Sequence, residues 1–386
     1  MKKKGFTLIE LLAVIVVLAI IALIATPIVM NTIKSAKKGA AERSADSYIG
    51  AVETAVATAK LDGKDIPDGT YQIDSDGNLT GEGLPDGKLT IDMKGNKPTG
   101  GTITIKNGQV TNDSEMTIGD YDVKYNEDNN KYEATKLKTY INGEVVYFNV
   151  TTGEKCTSSD YTETQSNTGT NRGCMKFYAF NDDGGNTVNL ILDHNTTATV
   201  AWNSSNSNTN GPKEVLEQLK KDTESWEGTI TPANYTMDQT GQPSNAKYTI
   251  DYSSYKARLI TANEIAKITG NTSWNEKTAS NIFYFDTNTS TISSTCAKGN
   301  TSGCSYRWLY DRSSTYCTTY GCLNNADSAM TGIGYWTASS HVGYVGTISN
   351  RAWYVNCRAH ANYGGVFDSS SLGVRPVIEV LKSKLS

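Results

Sequence analysis

The sequence is poor in the residues that mark metal sites and nucleic-acid interfaces. Only three histidines occur in 386 residues, and the 40 acidic residues outnumber the 36 basic ones. Without a basic excess we expect no nucleic-acid partner. The histidines (His194, His341, His360) are scattered and no Cys-x-x-Cys pair occurs, so we expect no metal and no cofactor. Hydrophobic residues reach only 38%, which with 34 glycines and 22 tyrosines favours a β-rich, loop-rich surface protein over a cytosolic enzyme.

Cysteine is absent from the first 155 residues, and all seven cysteines follow. Their close spacing without a histidine cluster favours disulfides, which persist outside the cytosol. Free thiols in a reduced compartment are the alternative. Nearest-neighbour pairing predicts the disulfides Cys156–Cys174, Cys296–Cys304 and Cys317–Cys322 and leaves Cys357 single, although the sequence alone does not fix the connectivity.

The N-terminus combines a basic start with a long apolar run. Lys2, Lys3 and Lys4 precede a stretch from Phe6 to Met30 whose only polar residues are Thr7, Glu10 and Thr26. This stretch is long enough to cross a bilayer as a helix, and the lysines predict that residues 1–5 stay in the cytoplasm. An ordinary signal peptide has its small residue after the apolar run, whereas Gly5 stands before it. Glu10 is equally unusual, because a carboxylate inside an apolar helix is costly and usually has a functional partner.

Residues 5–10, Gly-Phe-Thr-Leu-Ile-Glu, resemble the type IV prepilin signal. The resemblance implies cleavage between Gly5 and Phe6 by a prepilin peptidase, followed by N-methylation of Phe6. It also implies that Glu10 neutralises the amino terminus of a neighbouring pilin subunit during filament assembly. We therefore expect a precursor in the bacterial cell membrane and then an extracellular surface filament. A plain signal anchor with an incidental Glu10 is the alternative.

Beyond the membrane segment, apolar residues recur at spacings of three and four until Lys60, before an Asp62-Gly63 stop signal. We predict a helix of about 80 Å from Phe6 to Lys60. Asp-Gly and Asn-Gly turns then separate short strand patterns, in a stretch that diffusely resembles the sheet of pilins from Gram-positive bacteria. The predicted strands are Thr70–Ile73, Lys88–Met93, Thr102–Ile105, Asp122–Tyr125 and Lys131–Thr135.

The remaining residues predict a mixture of strands and short helices. Asn186–Leu192 has the pattern of a buried strand, and Pro212–Trp226 that of an amphipathic helix with Val215, Leu216, Leu219 and Trp226 facing inward. A second helix is predicted at Ala262–Gly270, where Thr261 and Glu264 have the spacing of a capping box.

Four motifs follow one another in this part of the chain. They are Arg258-Leu-x-Thr-x-x-Glu264, Trp336-Thr-x-Ser339, Ala352-Trp353 and Gly373-Val-Arg-Pro376. Their order resembles the C-type-lectin-like fold in the bacterial form shared by formylglycine-generating enzymes and related surface domains, over roughly residues 140–385. The resemblance implies that Trp336, Trp353 and Arg375 belong to the scaffold, and that the last of them anchors the closing strand.

The resemblance further implies a variable stretch between the last tryptophan and the closing strand, here residues 354–372. Its aromatic, Asn and Ser side chains suit adaptable recognition of an unknown glycan or protein ligand. The ligand-binding candidates are Tyr354, Asn356, Arg358, His360, Asn362, Tyr363, Phe367 and Asp368.

Catalysis is not expected. Formylglycine-generating enzymes need two cysteines near the C-terminus as a copper-binding redox pair, and only Cys357 stands in the corresponding stretch. Gly-x-Ser-x-Gly, His-Glu-x-x-His and Walker-loop motifs are also missing from the sequence.

The sequence thus predicts an α+β protein with a long N-terminal pilin helix, a small antiparallel sheet and a C-type-lectin-like α+β domain. The predicted boundaries are a leader at 1–5, a transmembrane and stalk helix at 6–60, a pilin-like β domain at 61–137 and the lectin-like domain at 138–386. The predicted function is a type IV pilin-like subunit that displays this domain for surface adhesion or ligand binding. The alternatives are a purely structural subunit of a pilus, or of a type II secretion or competence pseudopilus, and a membrane-tethered formylglycine-generating-like enzyme.

Overall fold

The computed structural model describes residues 8–161, 173–196, 199–285, 305–310, 334–343, 350–356, 360–368 and 372–385. The chain divides into two compact units, residues 1–137 and 138–386. The described residues have the predicted α+β fold, in which a long N-terminal helix precedes mainly antiparallel sheets.

The first unit begins with the helix α1 (Leu8–Leu61), which has 54 residues and a length of about 80 Å. It ends where Gly63, at φ 76°, donates its N–H to the carbonyl of Lys60. No helix within the described residues is both long and apolar enough to cross a membrane. The span predicted for residues 6–30 stays a prediction, and Phe6 lies outside the described residues.

An eight-stranded antiparallel sheet follows in the order β3-β2-β1-β4-β6-β7-β8, with β5 paired to β4. Its strands are β1 (Gly69–Ile73), β2 (Leu79–Thr80), β3 (Lys88–Leu89), β4 (Gly100–Lys106), β5 (Gln109–Val110), β6 (Glu115–Ile118), β7 (Tyr121–Asn126) and β8 (Lys131–Lys136). The strand predicted at Lys88–Met93 forms only over its first two residues. Beyond them the N–H of Ile91 donates to the Asn78 side chain, at 3.1 Å, instead of to a neighbouring strand.

One stripe of α1 is buried in this unit, and its members are Ala41, Ala45, Tyr48, Val52 and Val56. Their spacing of three and four residues places them on one face of the helix, and the two alanines allow close packing. The sheet contributes buried apolar side chains such as Ile103, Met116 and Val123 to the same core. Gly101 has φ 117°, and a Cβ there would collide with the backbone of β6, so this position of β4 requires glycine.

The second unit contains three sheets among its described residues. Its strands are β9 (Val145–Asn149), β10 (Glu154–Lys155), β11 (Cys174–Phe180), β12 (Thr187–Leu192), β13 (Thr229–Ile230), β14 (Tyr235–Asp238), β15 (Lys247–Ile250), β16 (Phe283–Tyr284), β17 (Gly334–Ser340), β18 (Arg351–Asn356), β19 (His360–Gly365), β20 (Leu372–Gly373) and β21 (Val377–Leu381). The sheet orders are β10-β9-β11-β12-β21-β13, β14-β15 and β16-β19-β18-β17-β20. Only the short β17–β20 pair is parallel among these described strands.

The helices among the described residues of the second unit are α2 (Glu214–Thr223), α3 (Ala262–Ile268) and α4 (Arg307–Tyr310), and a 3₁₀ turn spans Lys382–Leu385. The predicted helix at Pro212–Trp226 is shorter than expected, but Val215, Leu216, Leu219 and Trp226 are buried as predicted. The capping box at the start of α3 is present, with Thr261 accepting from the N–H of Glu264 and the Glu264 carboxylate accepting from that of Thr261.

A disulfide joins Cys156 to Cys174, the pair that nearest-neighbour pairing predicts. Cys296, Cys304, Cys317, Cys322 and Cys357 lie outside the described residues, so the other two pairings stay predictions.

A buried ion pair links the β11–β12 turn to the C-terminal 3₁₀ turn of the second unit. Lys382 Nζ lies 2.6 Å from Asp182 Oδ1, and the two side chains are 1% and 0% exposed. The same carboxylate accepts hydrogen bonds from the backbone N–H groups of Tyr140 and Gly184. The pair therefore ties the start of the unit and the β11–β12 turn to the C-terminal 3₁₀ turn.

We expect Lys382→Ala to lower the free energy of unfolding of the second unit by about 3–5 kcal/mol, because it leaves a buried carboxylate without its cation. Lys384→Ala is the matched control, since its pair with Glu154 is solvent-exposed and should be worth less than about 1 kcal/mol. Urea unfolding followed by tryptophan fluorescence reports on this unit alone, because all six tryptophans lie in it. Equal losses in the two variants would contradict the assignment.

Candidate functional site

The predicted processing residues lie at the edge of the described structure. Gly5 and Phe6 fall outside the described residues. Glu10 lies in the first turn of α1, but its side chain is not among those described. The described part of the candidate site is therefore the predicted ligand-binding stretch of the second unit.

The predicted ligand-binding residues belong mainly to a hairpin formed by β18 and β19. Tyr354 pairs with Asn362, Asn356 with His360, and Trp353 with Tyr363. Phe367 and Asp368 follow directly after β19, whereas Arg358 lies in the connection 357–359, outside the described residues. The stretch is thus largely part of a sheet and not one continuous loop.

Strand alternation divides the predicted residues between two faces of the hairpin. Tyr354, Asn356, His360 and Asn362 share one face, because paired residues of antiparallel strands point to the same side. Tyr363 points to the opposite face together with its partner Trp353. The two adjacent glycines agree, since a Cβ at Gly364 would meet the ring of Tyr354 and one at Gly365 would meet that of Phe367. The predicted residues therefore do not form a single surface.

The face that carries Tyr354 is partly buried. Tyr354 packs edge-on against Trp336, with ring centroids 5.9 Å apart, and the Trp336 indole donates to the carbonyl of Val200 at 2.7 Å. His360 is buried against the ring of Tyr284, 5.0 Å away, and Asn356 is 9% exposed. Asn356 and His360 are therefore buried, whereas Tyr354 is half-buried.

The opposite face carries five rings and one guanidinium, which we call the aromatic face. Its members are Trp274, His341, Arg351, Trp353, Tyr363 and Phe367. The guanidinium of Arg351 lies over the ring of Tyr363, at 5.1 Å. Tyr363 in turn contacts His341 at 4.1 Å, and Trp353 contacts Trp274 at 4.9 Å between centroids. The Phe367 side chain is 56% exposed. Phe367 is thus the exposed ring of this face, whereas Trp274, Arg351 and Tyr363 are half-buried and His341 and Trp353 are fully buried.

Sequence reasoning missed three members of the aromatic face. Arg351 stands two residues before Trp353, so strand periodicity could have placed it on the same side. Trp274 comes from a distant part of the chain and His341 follows β17, and no local signal connects either residue to the hairpin.

His341 is a neutral, structural member of the aromatic face. Its Nδ1 accepts from the N–H of Gly343 at 2.9 Å, and its Nε2 lies 3.1 Å from the carbonyl of Ser280, to which it donates in this tautomer. Burial lowers the pKa of His341 to about 4; the bond to Ser280 acts against this shift and the Arg351 charge adds to it. The ring thus stays uncharged near neutral pH and packs against Trp353 and Tyr363.

A buried carboxylate lies beside β17, next to the motif residue Ser339. Glu276 accepts hydrogen bonds from Ser339 Oγ at 2.6 Å, from Tyr235 Oη at 2.9 Å and from the N–H of Asn263 at 2.9 Å. Ser339 Oγ also accepts from the N–H of Ala262. Burial raises the pKa of Glu276, and the three donors counteract part of this effect. The cluster ties β14 and β17 to the first turn of α3, so the Ser of the Trp-Thr-x-Ser motif has a structural contact.

The pH dependence of stability should reveal this burial. Because the pKa of Glu276 is raised on folding, the folded state holds its proton more tightly, and stability falls as pH rises above about 4.3, the pKa of an unfolded Glu. Compared with Glu276→Gln, wild type should lose stability over that range by at most about 1.4 kcal/mol per pH unit. The measurement is urea unfolding from about pH 2.5 to 8, followed by tryptophan fluorescence.

Glu264 provides a control of opposite sign. Burial acts to raise its pKa, but the bidentate ion pair with Arg258, at 2.7 and 2.9 Å, outweighs burial and lowers it. Wild type should therefore lose stability relative to Glu264→Gln as pH falls below about 4.3. The same slope for both variants would refute the assignment of Glu276.

Within the described residues, no group of three His, Cys, Asp or Glu side chains is placed to hold a metal ion.

Comparison with known families adds information only at the N-terminus. The family model described as the prokaryotic N-terminal methylation motif matches residues 1–26. The chain carries a type IV prepilin-like signal. This motif supports a type IV pilin-like or pseudopilin subunit and implies processing by a prepilin peptidase and assembly with other pilin subunits. It also suggests a membrane-anchored precursor and an extracellular pilus. No curated protein and no solved structure matches the chain.

Proposed function

We propose that this type IV pilin-like subunit displays residues 138–386, the head, as a lectin-like domain for surface adhesion or ligand binding. The observation that carries the proposal is the joining of the methylation motif at residues 1–26 to a large separate unit with its own cores. The prepilin signal and α1 account for processing and assembly. A second unit of this size is therefore best explained by what it presents outside the cell.

Contacts among the four motifs support a lectin-like head. Arg258 exchanges backbone hydrogen bonds with Val377, just beyond the Gly-Val-Arg-Pro motif. The N–H of Ala338, within Trp-Thr-x-Ser, donates to Ile260 O at 2.9 Å. The hydroxyl of Thr337 donates to the carbonyl of Trp353 at 2.8 Å. Motifs that are far apart in sequence thus meet in the interior, as expected if they specify a fold.

The three residues assigned to the scaffold by the resemblance are fully buried. Trp336, Trp353 and Arg375 each have 0% exposure. The Arg375 guanidinium donates to the carbonyls of Trp308 and Leu309, at 2.8 and 2.9 Å, and its Nε donates to that of Leu192. It thereby fixes the approach to β21 against α4 and β12, which supports the proposal that it anchors the closing strand.

The aromatic face is the proposed ligand-binding surface. Phe367 and Tyr363 offer rigid rings that lose little conformational entropy on binding, and Arg351 adds a cation with several donors. Such a combination suits a surface glycan or a protein ligand. We propose binding and not catalysis, because Ser339, His341 and Glu276 are buried and engaged in packing contacts.

A purely structural pilus or pseudopilus subunit is the alternative that the methylation motif supports equally well. Immunogold labelling of the head on intact cells separates the two. Sparse or tip labelling is expected for an adhesin, and uniform labelling along the filament would favour a structural subunit.

The assembly signal predicts two separable defects. Gly5→Ile should leave residues 1–5 attached, because a bulky β-branched residue replaces the small one at the cleavage site. Glu10→Gln should be cleaved and methylated normally but should fail to enter filaments, because the carboxylate partner of the neighbouring amino terminus is lost. Intact-mass spectrometry measures the first effect, and the sheared filament fraction measures the second. Glu127→Gln, at an exposed residue of the first unit, is the control and should behave as wild type.

Binding can be tested on sheared filaments with glycan and protein arrays. Phe367→Ala should weaken binding by about tenfold or more, because exposed aromatic anchors carry a large share of interface energy. Ile141→Ala is the matched control, because Ile141 is an exposed apolar side chain of the head that lies outside the hairpin. Equal binding by both variants would exclude the aromatic face as the binding surface.

A further inference from the structure

The first unit has a basic end beside the apolar part of α1. From Leu11 to Ala41 the helix contains no acidic residue, and its exposed apolar side chains continue to Met30 and Ile33. Lys34, Lys37 and Lys38 then follow on exposed positions. The basic residues thus begin where the apolar run ends.

The tertiary structure adds two more lysines at the same level of the helix. A groove of about 600 Å³ is lined by Lys37 and Ala41 of α1, by Gly95 and Lys97, and by Gly119 and Asp120 between β6 and β7. We call it the basal groove. Lys94 is exposed beside it. Because Ala41 is the first buried residue of the helix stripe, the groove lies at the end of the sheet nearest the apolar run.

The charges around the basal groove leave a positive surplus. Asp120 pairs with Lys136 at 3.5 Å, and Glu42 lies 3.7 Å from Lys38. Lys97 donates one hydrogen bond to the carbonyl of Ile91, at 2.6 Å, which fixes its side chain but neutralises no charge.

Acidic charge lies at the other end of the same unit. A second groove, of about 420 Å³, lies along residues 51–59 of α1 and is lined by Asp62, Asp86 and Asp92 with Lys64 and Lys88. The charge around this second groove is therefore less positive than the charge around the basal groove.

We propose that this basic end binds the phosphate groups of anionic phospholipids while the subunit waits in the membrane before assembly. The residues that make the contact, the basal lysines, are Lys34, Lys37, Lys38, Lys94 and Lys97. The inference rests on the proposed function, which places α1 in the membrane as a precursor. Lipid contact would hold the first unit against the bilayer until the subunit enters a filament.

Helix geometry fits this contact. At about 1.5 Å per residue, Lys34 lies about 6 Å and Lys37 about 11 Å beyond Met30. The headgroup layer extends about 5–8 Å beyond the hydrocarbon core, and lysine side chains reach toward it while their stems stay on the helix. Each lysine near an anionic surface adds attraction, and the attraction decays over a Debye length of about 8 Å. Lysines at the acidic end of the unit are beyond that range.

The test is lysine acylation of the full-length precursor in lipid nanodiscs, with one chain per disc and site-resolved mass spectrometry. Discs of phosphatidylglycerol are compared with discs of phosphatidylcholine. Lys37 and Lys94 should react about fivefold more slowly in phosphatidylglycerol, and about 0.5 M NaCl should remove the difference. Lys60 and Lys64, at the acidic end, are internal controls and should react equally in both discs.

Charge variants sharpen the test. Lys34→Gln with Lys37→Gln should reduce the protection of Lys94, whereas Lys60→Gln with Lys64→Gln should leave it unchanged. Equal reactivity in the two lipids would overturn the inference. So would protection by inorganic phosphate in phosphatidylcholine discs, because that result would indicate a phosphate site and not a lipid contact. A precursor that does not enter discs at all would instead count against the proposed function.

Discussion

Strand β21 hydrogen-bonds to β12 on one side and to the edge strand β13 on the other, so the last strand lies inside the six-stranded sheet. Pairing over so large a sequence separation closes a long loop, which carries an entropic cost before any contact forms. The approach to the strand is fixed by the buried guanidinium of Arg375, and its exit by the Lys382–Asp182 pair. The second unit therefore depends on the end of the chain.

The pairing of β21 also determines which surface of the second unit is exposed. Val377 pairs with Arg258 in front of α3, and the residues before β21 include β20, which pairs with β17. β17 in turn supports the β18–β19 hairpin. Gly334, at the start of β17, lies so close to the carbonyl of Val355 that no side chain fits there. The aromatic face is thus held on a sheet whose register is set by interior contacts.

In the first unit, the exposed apolar residues and the buried stripe lie on different parts of one helix. Its N-terminal half carries exposed apolar residues and then lysines, while the buried stripe from Ala41 to Val56 packs on the sheet. Small residues in that stripe let the helix approach the sheet closely, and one polar atom is satisfied where Tyr48 Oη donates to the carbonyl of Gly77. A single continuous helix can therefore serve both assembly and support of the sheet.

The sequence by itself determined features that depend on local chemistry and regular spacing. The prepilin-like signal, the long helix, the capping box at Thr261 and Glu264, and the buried positions of α2 all follow from neighbours within one or two helical turns. The Cys156–Cys174 disulfide also followed from nearness in sequence. The sequence did not predict the short strands β2, β5 and β6, because two to four residues carry too little periodicity.

The candidate site was predicted only in part, because it depends on which face each strand turns inward. The sequence grouped Tyr363 and Phe367 with Tyr354 and His360, whereas strand pairing puts Tyr354 and His360 on the face of the hairpin opposite to Tyr363. Trp274 and His341 stand 77 and 10 residues before Arg351, outside the hairpin. Likewise, Lys94 and Lys97 join the lysines of α1 only because the sheet folds back onto the helix. Local pattern decides the elements, whereas register and chain closure decide which side chains meet.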